Sequence, residues 1–183
     1  MPAEHAILGL LAQNPDGAHG YDLARHFAGD EPLGAILRLE PGMLYHHLKK
    51  LDKTGWVAAT VEQQGLRPPR QVYRLTPDGE AELRRWLSEP VERTRDIRLD
   101  FLVKLFFAQR TQPETVEALI AHQREMLTRN ITSLAEQRAA LAAKPDTDDR
   151  DRSFTLAVLD LRRSQTEAAL EWLDQLSPIA SNG

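Results

Sequence analysis

The sequence predicts a mainly α-helical protein carrying one small two-stranded β-hairpin, divided into a compact N-terminal half and an all-α C-terminal half. Three observations carry this reading. Residues 40–55 place Leu44, Leu48 and Leu51 at i, i+4 and i+7, the spacing of a helix with a single buried seam. Residues 57–62 and 71–76 alternate around a turn containing Gly65, Pro68 and Pro69, the pattern of two short strands joined as a hairpin. From Asp96 to Leu176 apolar residues recur at helical spacing, with breaks near Pro113 and Pro145, so this remainder reads as helix.

The chain has 183 residues, 42% hydrophobic and 27% charged, enough for one or two small domains with a real core. It contains no cysteine, which fits a reducing cytosol and excludes disulfides, thiolate catalysis and cysteine-based zinc sites. The N-terminus lacks the basic and then apolar profile of a secretory leader, and no apolar run approaches membrane-spanning length. A soluble cytoplasmic protein with no membrane partner is expected.

Taken in order, residues 3–13 put Ile7, Leu8 and Leu11 on one stripe before the turn cluster Asn14–Gly17. Residues 18–29 read as a second amphipathic helix with Tyr21, Leu23, Ala24 and Phe27, closed by Gly29, and Pro32–Gly34 leads onward. Asp22 and His26 stand at i, i+4 but have no third ligand at a sensible spacing, and His46 and His47 point about 100° apart, so neither pair makes a metal site. The third helix starts at Pro41, where a missing N–H is tolerated, and stops at Gly55. His46, Lys49, Lys50 and Lys53 fall opposite its leucines, and Tyr45 sits at the border of the seam, its ring able to pack while its hydroxyl reaches a phosphate.

A cationic helix face is most often merely solvated. The hairpin beside it argues for more. It forms a wing whose tip carries Arg67 and Arg70 around two prolines, which stiffen the loop and present the arginines outward. Residues 41–76 hold Lys49, Lys50, Lys53, Arg67, Arg70 and Arg74 against Asp52 and Glu62, a net of +4 on a chain whose total is −4. A positive island on an acidic protein is the electrostatic footprint of local phosphate binding. Phosphate contacts are expected from Lys49, Lys50 and Arg70, and base-edge contacts from Met43 and His46 at the exposed start of the helix.

Thr76, Pro77, Asp78 and Glu80 cap and open a fourth helix through Leu83, Trp86 and Leu87. Pro90 ends it, placing the domain boundary near residues 89–95, between a DNA-binding domain at 1–90 and a helical domain at 91–183. Asp96–Gln109 is apolar on most sides, Pro113–Ala143 is a long helix with near-heptad spacing, and 150–176 carries two apolar strips. The acidic run Asp146–Asp151 lacks the glycine and closing glutamate of an EF-hand loop and reads as helix capping. Three helices of this length cannot cover so much apolar surface alone, so a homodimer is expected, with Phe106, Leu127, Leu161 and Trp172 among its contacts and Trp172 as anchor.

The residues also resemble a known family. Ile7–Leu11, His19-Gly20-Tyr21-Asp22-Leu23, Gly42-Met43-Leu44-Tyr45 with Leu48 and Leu51, Gly55-Trp56-Val57, and Arg70–Thr76 with Gly79 are similar, in order, to the winged helix-turn-helix half of PadR-type transcriptional regulators. The tail ending in Trp172-Leu173 is similar in length and pattern to the C-terminal helical domain of the virulence-activator-like subgroup. The resemblance implies a winged helix-turn-helix DNA-binding domain followed by an all-α dimerisation domain, with Gly42, Met43, Tyr45, His46, Lys49, Lys50, Lys53, Arg67 and Arg70 facing an operator in double-stranded DNA. It also implies repression, and a small aromatic effector held between the winged helix and the tail. No phosphate loop, nucleophile elbow, metal cluster or acid–base pair points to catalysis, and no cofactor is expected. The alternative is a winged helix serving as a protein-interaction module, which the basic helix and wing disfavour.

Overall fold

The computed structural model describes residues 2–64, 67–143 and 149–176, with backbone alone for Gln64, Arg67–Pro69 and Asp149. The turn expected at Gly65–Leu66, the side chain of Arg67 and the acidic run 146–148 lie outside the described residues.

The chain forms two compact units: Met1–Glu89 with Arg98–Val116, and Pro90–Ile97 with Glu117–Gly183. The chain first leaves the first unit at Pro90. Residues 98–116, expected to open the dimerisation half, return to the first unit.

At the centre of the first unit is α1 (Pro2–Ala12), in which every residue from Ala3 to Leu11 is buried. Its sequence shows why. From Ala6 to Ala12 no polar residue interrupts the run, so no face suits water and the helix is covered on all sides. The covers are α4 (Pro41–Lys53), β3 (Arg67–Leu75), α5 (Pro77–Ser88) and α6 (Leu102–Thr111). The last explains the return of 98–116: Phe101, Val103, Phe107 and Ala108 are wholly buried, and they supply the apolar wall that α1 still lacks. A 3₁₀ turn (Thr94–Asp96) and a π-helical turn (Ile97–Phe101) lead into α6.

Between α1 and α4 lie β1 (Ala18–His19), α2 (Gly20–Arg25) and α3 (Pro32–Ile36). The second helix is thus shorter than its apolar pattern suggests, because Ala18 and His19 pair as a strand with Tyr73 and Val72. The wing, β2 (Val57–Gln64) with β3, therefore has a third strand on its other side, in the order β1-β3-β2. Pairing runs from Val57↔Leu75 through Thr60↔Val72 to Glu62↔Arg70, with an irregularity between Glu62 and Gln64. The two ends of the wing are fixed locally. Gly55 follows α4 at φ 78°, a conformation that glycine adopts without strain. Thr76 Oγ1 donates to Gly55 O at 2.7 Å and accepts from Gly79 N at 3.1 Å, so one hydroxyl caps α5 and ties it to the start of the wing.

The second unit pairs α7 (Val116–Ala142) with α8 (Asp149–Gln175). Ion pairs Arg138–Asp160 (2.6 Å) and Arg124–Asp174 set an antiparallel register. Leu159, Leu173 and Leu176 face inward on the α8 side, and Ile120, Gln123 and Leu127 on α7. Segment 90–97 is bound to both helices. The Gln123 amide exchanges two hydrogen bonds with the backbone of Val91 (2.7 and 3.0 Å), Asn130 donates to Glu92 O (2.8 Å), and Thr94 meets Thr166 (2.8 Å).

Candidate nucleic-acid interface

Helix α4 is sorted by its leucines. Leu44, Leu48 and Leu51 are buried, and the opposite side presents His46, Lys49 and Lys53 to solvent. Met43 and Tyr45 are large side chains left about half exposed, at 49% and 48%. Among the described residues, and apart from its own helix, nothing stands within 4 Å of where a Cβ on Gly42 would point, so the start of α4 is open to close approach. Lys49 and Lys53 have no ion-pair partner among the described residues.

Lys50 differs. Its Nζ donates to Glu4 Oε1 at 2.7 Å, and His47 Nδ1 lies 3.3 Å from the same oxygen. Glu4 and His47 are both buried. Burial alone would push the Glu4 carboxyl up, but the hydrogen bonds and charge of Lys50, with His47, bring it below its ordinary value. Next to it His5 stacks on Trp86 (4.4 Å between ring centroids) and meets Glu82 at 2.9 Å. The Arg85 hydrogen bond, and then His5, lower the Glu82 carboxyl despite its burial. Two consecutive polar residues of α1 thereby fix both α4 and α5. Both escaped the sequence reading; the available signal was their place in an otherwise apolar helix, where a polar side chain has to be paired.

On the wing, Arg70 is exposed and has no ion-pair partner among the described residues. Arg74 is engaged, bonding Glu62 (2.9 Å) and Thr60 (2.8 Å) across the strands. The cations of the island without an ion pair among the described residues are therefore Lys49, Lys53 and Arg70. Between α4 and β3 opens a crevice of about 710 Å³, lined by His19, Gly20, Tyr21, Asp22, Tyr45, Arg70, Gln71 and Tyr73. A Cβ on Gly20 would stand 2.5 Å from the Tyr45 ring, so only glycine lets that ring lie against the start of α2. The Tyr73 hydroxyl donates to Gln71 (2.8 Å), and burial pushes its pKa up.

Of the four expected dimer contacts, Leu161 is 59% exposed on α8, on one strip with Phe154, Ala157 and Ala168, all exposed. Trp172 is half-buried. Phe106 is half-buried, edge-on to Phe107 (4.9 Å) with the Arg110 guanidinium 3.6 Å from its ring centre. Leu127 is fully buried within its own chain and presents no surface to a partner; it lies on α7 between Gln123 and Asn130, which bind Val91 and Glu92 of the 90–97 segment. Among the described residues no group of three or more His, Asp or Glu side chains is placed to hold a metal, and no helix is long and apolar enough to cross a membrane.

Comparison with known proteins gives these surfaces a family. Residues 7–85 match the transcriptional regulator PadR-like family, and residues 97–178 match virulence activator alpha C-term. The chain thus carries a PadR-like family domain followed by a virulence activator alpha C-term domain. "Probable transcriptional regulator Rv1176c" of Mycobacterium tuberculosis is 28% identical over 97% of this chain and 96% of its own length. "Negative transcriptional regulator PadR" of Bacillus subtilis is 32% identical over 57% of this chain and 55% of its own length. The crystal structure of Bacillus subtilis PadR in complex with operator DNA is 24% identical, covering 97% of this chain and 98% of that one with a TM-score of 0.46. The first match contains α4, the wing and every cation of the positive island. The second begins at Ile97, so α6 belongs by family to the tail while packing within the first unit.

Proposed function

We propose that this PadR-family transcriptional regulator binds double-stranded DNA sequence-specifically, as a homodimer on a two-fold-symmetric operator, and acts as a repressor. The observation that carries the reading is the outward side of α4: an open N-terminal turn at Gly42 and Met43, then His46, Lys49 and Lys53, flanked by Arg70 on the wing, with no acidic side chain among the described residues pairing these cations. A helix of this kind fits the major groove, Met43 and His46 toward base edges and Lys49, Lys53 and Arg70 on phosphates. Tyr45, set against Gly20, adds a phenolic hydroxyl beside Arg70 at the rim of the crevice.

The dimer rests on α8, whose Phe154–Leu161 strip is apolar and exposed in one copy. Two copies related by a two-fold axis would carry their recognition helices to half-sites about 34 Å apart. Repression follows the B. subtilis relative, described as a negative regulator. Family membership extends the reading to a small aromatic effector that releases the protein from DNA. Nuclease protection of the promoters near the gene, its own included, tests the whole: the expected result is a protected two-fold-symmetric site, and the contrary one is no protection at protein concentrations that saturate random DNA.

A further inference from the structure

Lys50 lies on the DNA-facing side of α4, seven residues beyond Met43 and four beyond His46, which at 100° per residue places it within about 40° of both. It is half exposed, yet its ammonium is bonded at 2.7 Å to a carboxylate whose side chain is only 7% exposed. The partner comes from a different helix, 46 residues earlier in the chain. Lys49 and Lys53, on the same helix, have no such partner among the described residues.

This arrangement has a consequence for DNA, and it rests on the DNA-binding reading above. Salt-dependent affinity counts the phosphates that a protein neutralises, because each one releases counter-ions. A lysine closed on a carboxylate brings no net charge to the duplex. Nor can it swing to a phosphate cheaply, since a buried carboxylate left without its cation is costly, whereas an exposed contact gains little. We propose that Glu4 is a positioning residue that withholds Lys50 from the DNA backbone and so limits the strength of backbone binding. Affinity for every duplex is thereby held down by about one phosphate contact, while the base-facing residues Met43 and His46 are untouched. His47, 3.3 Å from the same Glu4 oxygen and buried, keeps the carboxylate anchored on the α4 side.

The test is the full chain titrated with a random-sequence duplex over a range of salt. Glu4→Gln keeps the shape and removes the charge: the expected slope of log K against log salt steepens by about 0.9, and binding tightens several-fold near about 0.1 M salt. Lys50→Gln is expected to leave the slope unchanged, and Glu4→Gln combined with Lys50→Gln to return it to the wild-type value. A Glu4→Gln protein with the wild-type slope, or a Lys50→Gln protein whose slope flattens by about one, overturns the proposal while the DNA-binding reading stands. A wild-type chain without salt-dependent binding overturns both. Should Glu4→Gln fail to give a cooperative melt, the Lys50→Gln slope decides alone.

Discussion

Lys104 caps the helix that carries Trp86: its Nζ donates to the Trp86 carbonyl at 2.5 Å and lies 4.6 Å from the centroid of the same residue's indole. A second bond goes to Glu89 O at 2.6 Å. The end of an α-helix leaves carbonyls unpaired and carries partial negative charge, and here one buried side chain from α6 satisfies two of them at the end of α5. The cap joins α6 to the winged-helix half and helps to explain why residues 98–116 pack there.

Replacing Lys104 by Met should destabilise the protein by about 2–3 kcal/mol, read by urea denaturation, since two carbonyls lose a donor inside the fold. The pH dependence is specific. Burial pushes the Lys104 amine down to about 8 from its ordinary 10.5. Below about pH 8 folded and unfolded chains both hold the proton. Between about 8 and 10.5 only the unfolded chain does, so stability rises with pH in that window; the neutral amine still has two N–H donors for its two carbonyls. The wild-type stability minus that of Lys104→Met should therefore grow from about pH 8 to 10.5, and a flat difference would show a cation that keeps its ordinary pKa.

Two leucines of the helical unit should behave oppositely. Leu161→Glu, on the exposed strip of α8, is expected to give a monomer by sedimentation with thermal stability of the monomer little changed. Leu127→Ala, fully buried, should cost about 2–5 kcal/mol in unfolding free energy as a cavity opens. A Leu161→Glu protein that remains dimeric would move the interface off this strip.

Met43 and His46 separate base reading from backbone binding. Substituting Met43→Ala or His46→Ala should change which sites are recovered from a randomised duplex pool while leaving affinity for random DNA within about twofold. An unchanged site preference would mean that specificity is read from DNA shape instead.

The helices, the wing and the outward face of α4 were legible in the sequence because each rests on local periodicity: three leucines place α4, and alternation about two prolines places the hairpin. The features that stayed hidden depend on partners distant in the chain. Ala18 and His19 form a strand only because Val72 and Tyr73 lie beside them. Lys50 looks like its neighbours until Glu4 is seen beneath it. The residues 98–116 carry apolar faces that suit either a dimer or the flank of α1, and only the unbroken apolar run of α1 decides between them. Leu127 has the spacing of a seam residue, and the segment 90–97 that Gln123 binds one turn away is announced by no periodicity.

In the proposed function the outward side of α4 and the wing hold DNA. The most direct measurement is the salt dependence of duplex binding by the wild-type chain and by Lys49→Ala, Lys53→Ala and Arg70→Ala. Each substitution should weaken all duplexes about equally and flatten the slope by about one, and the triple variant by about three. A triple variant that binds duplex DNA with the wild-type slope would show that the duplex lies elsewhere on the protein.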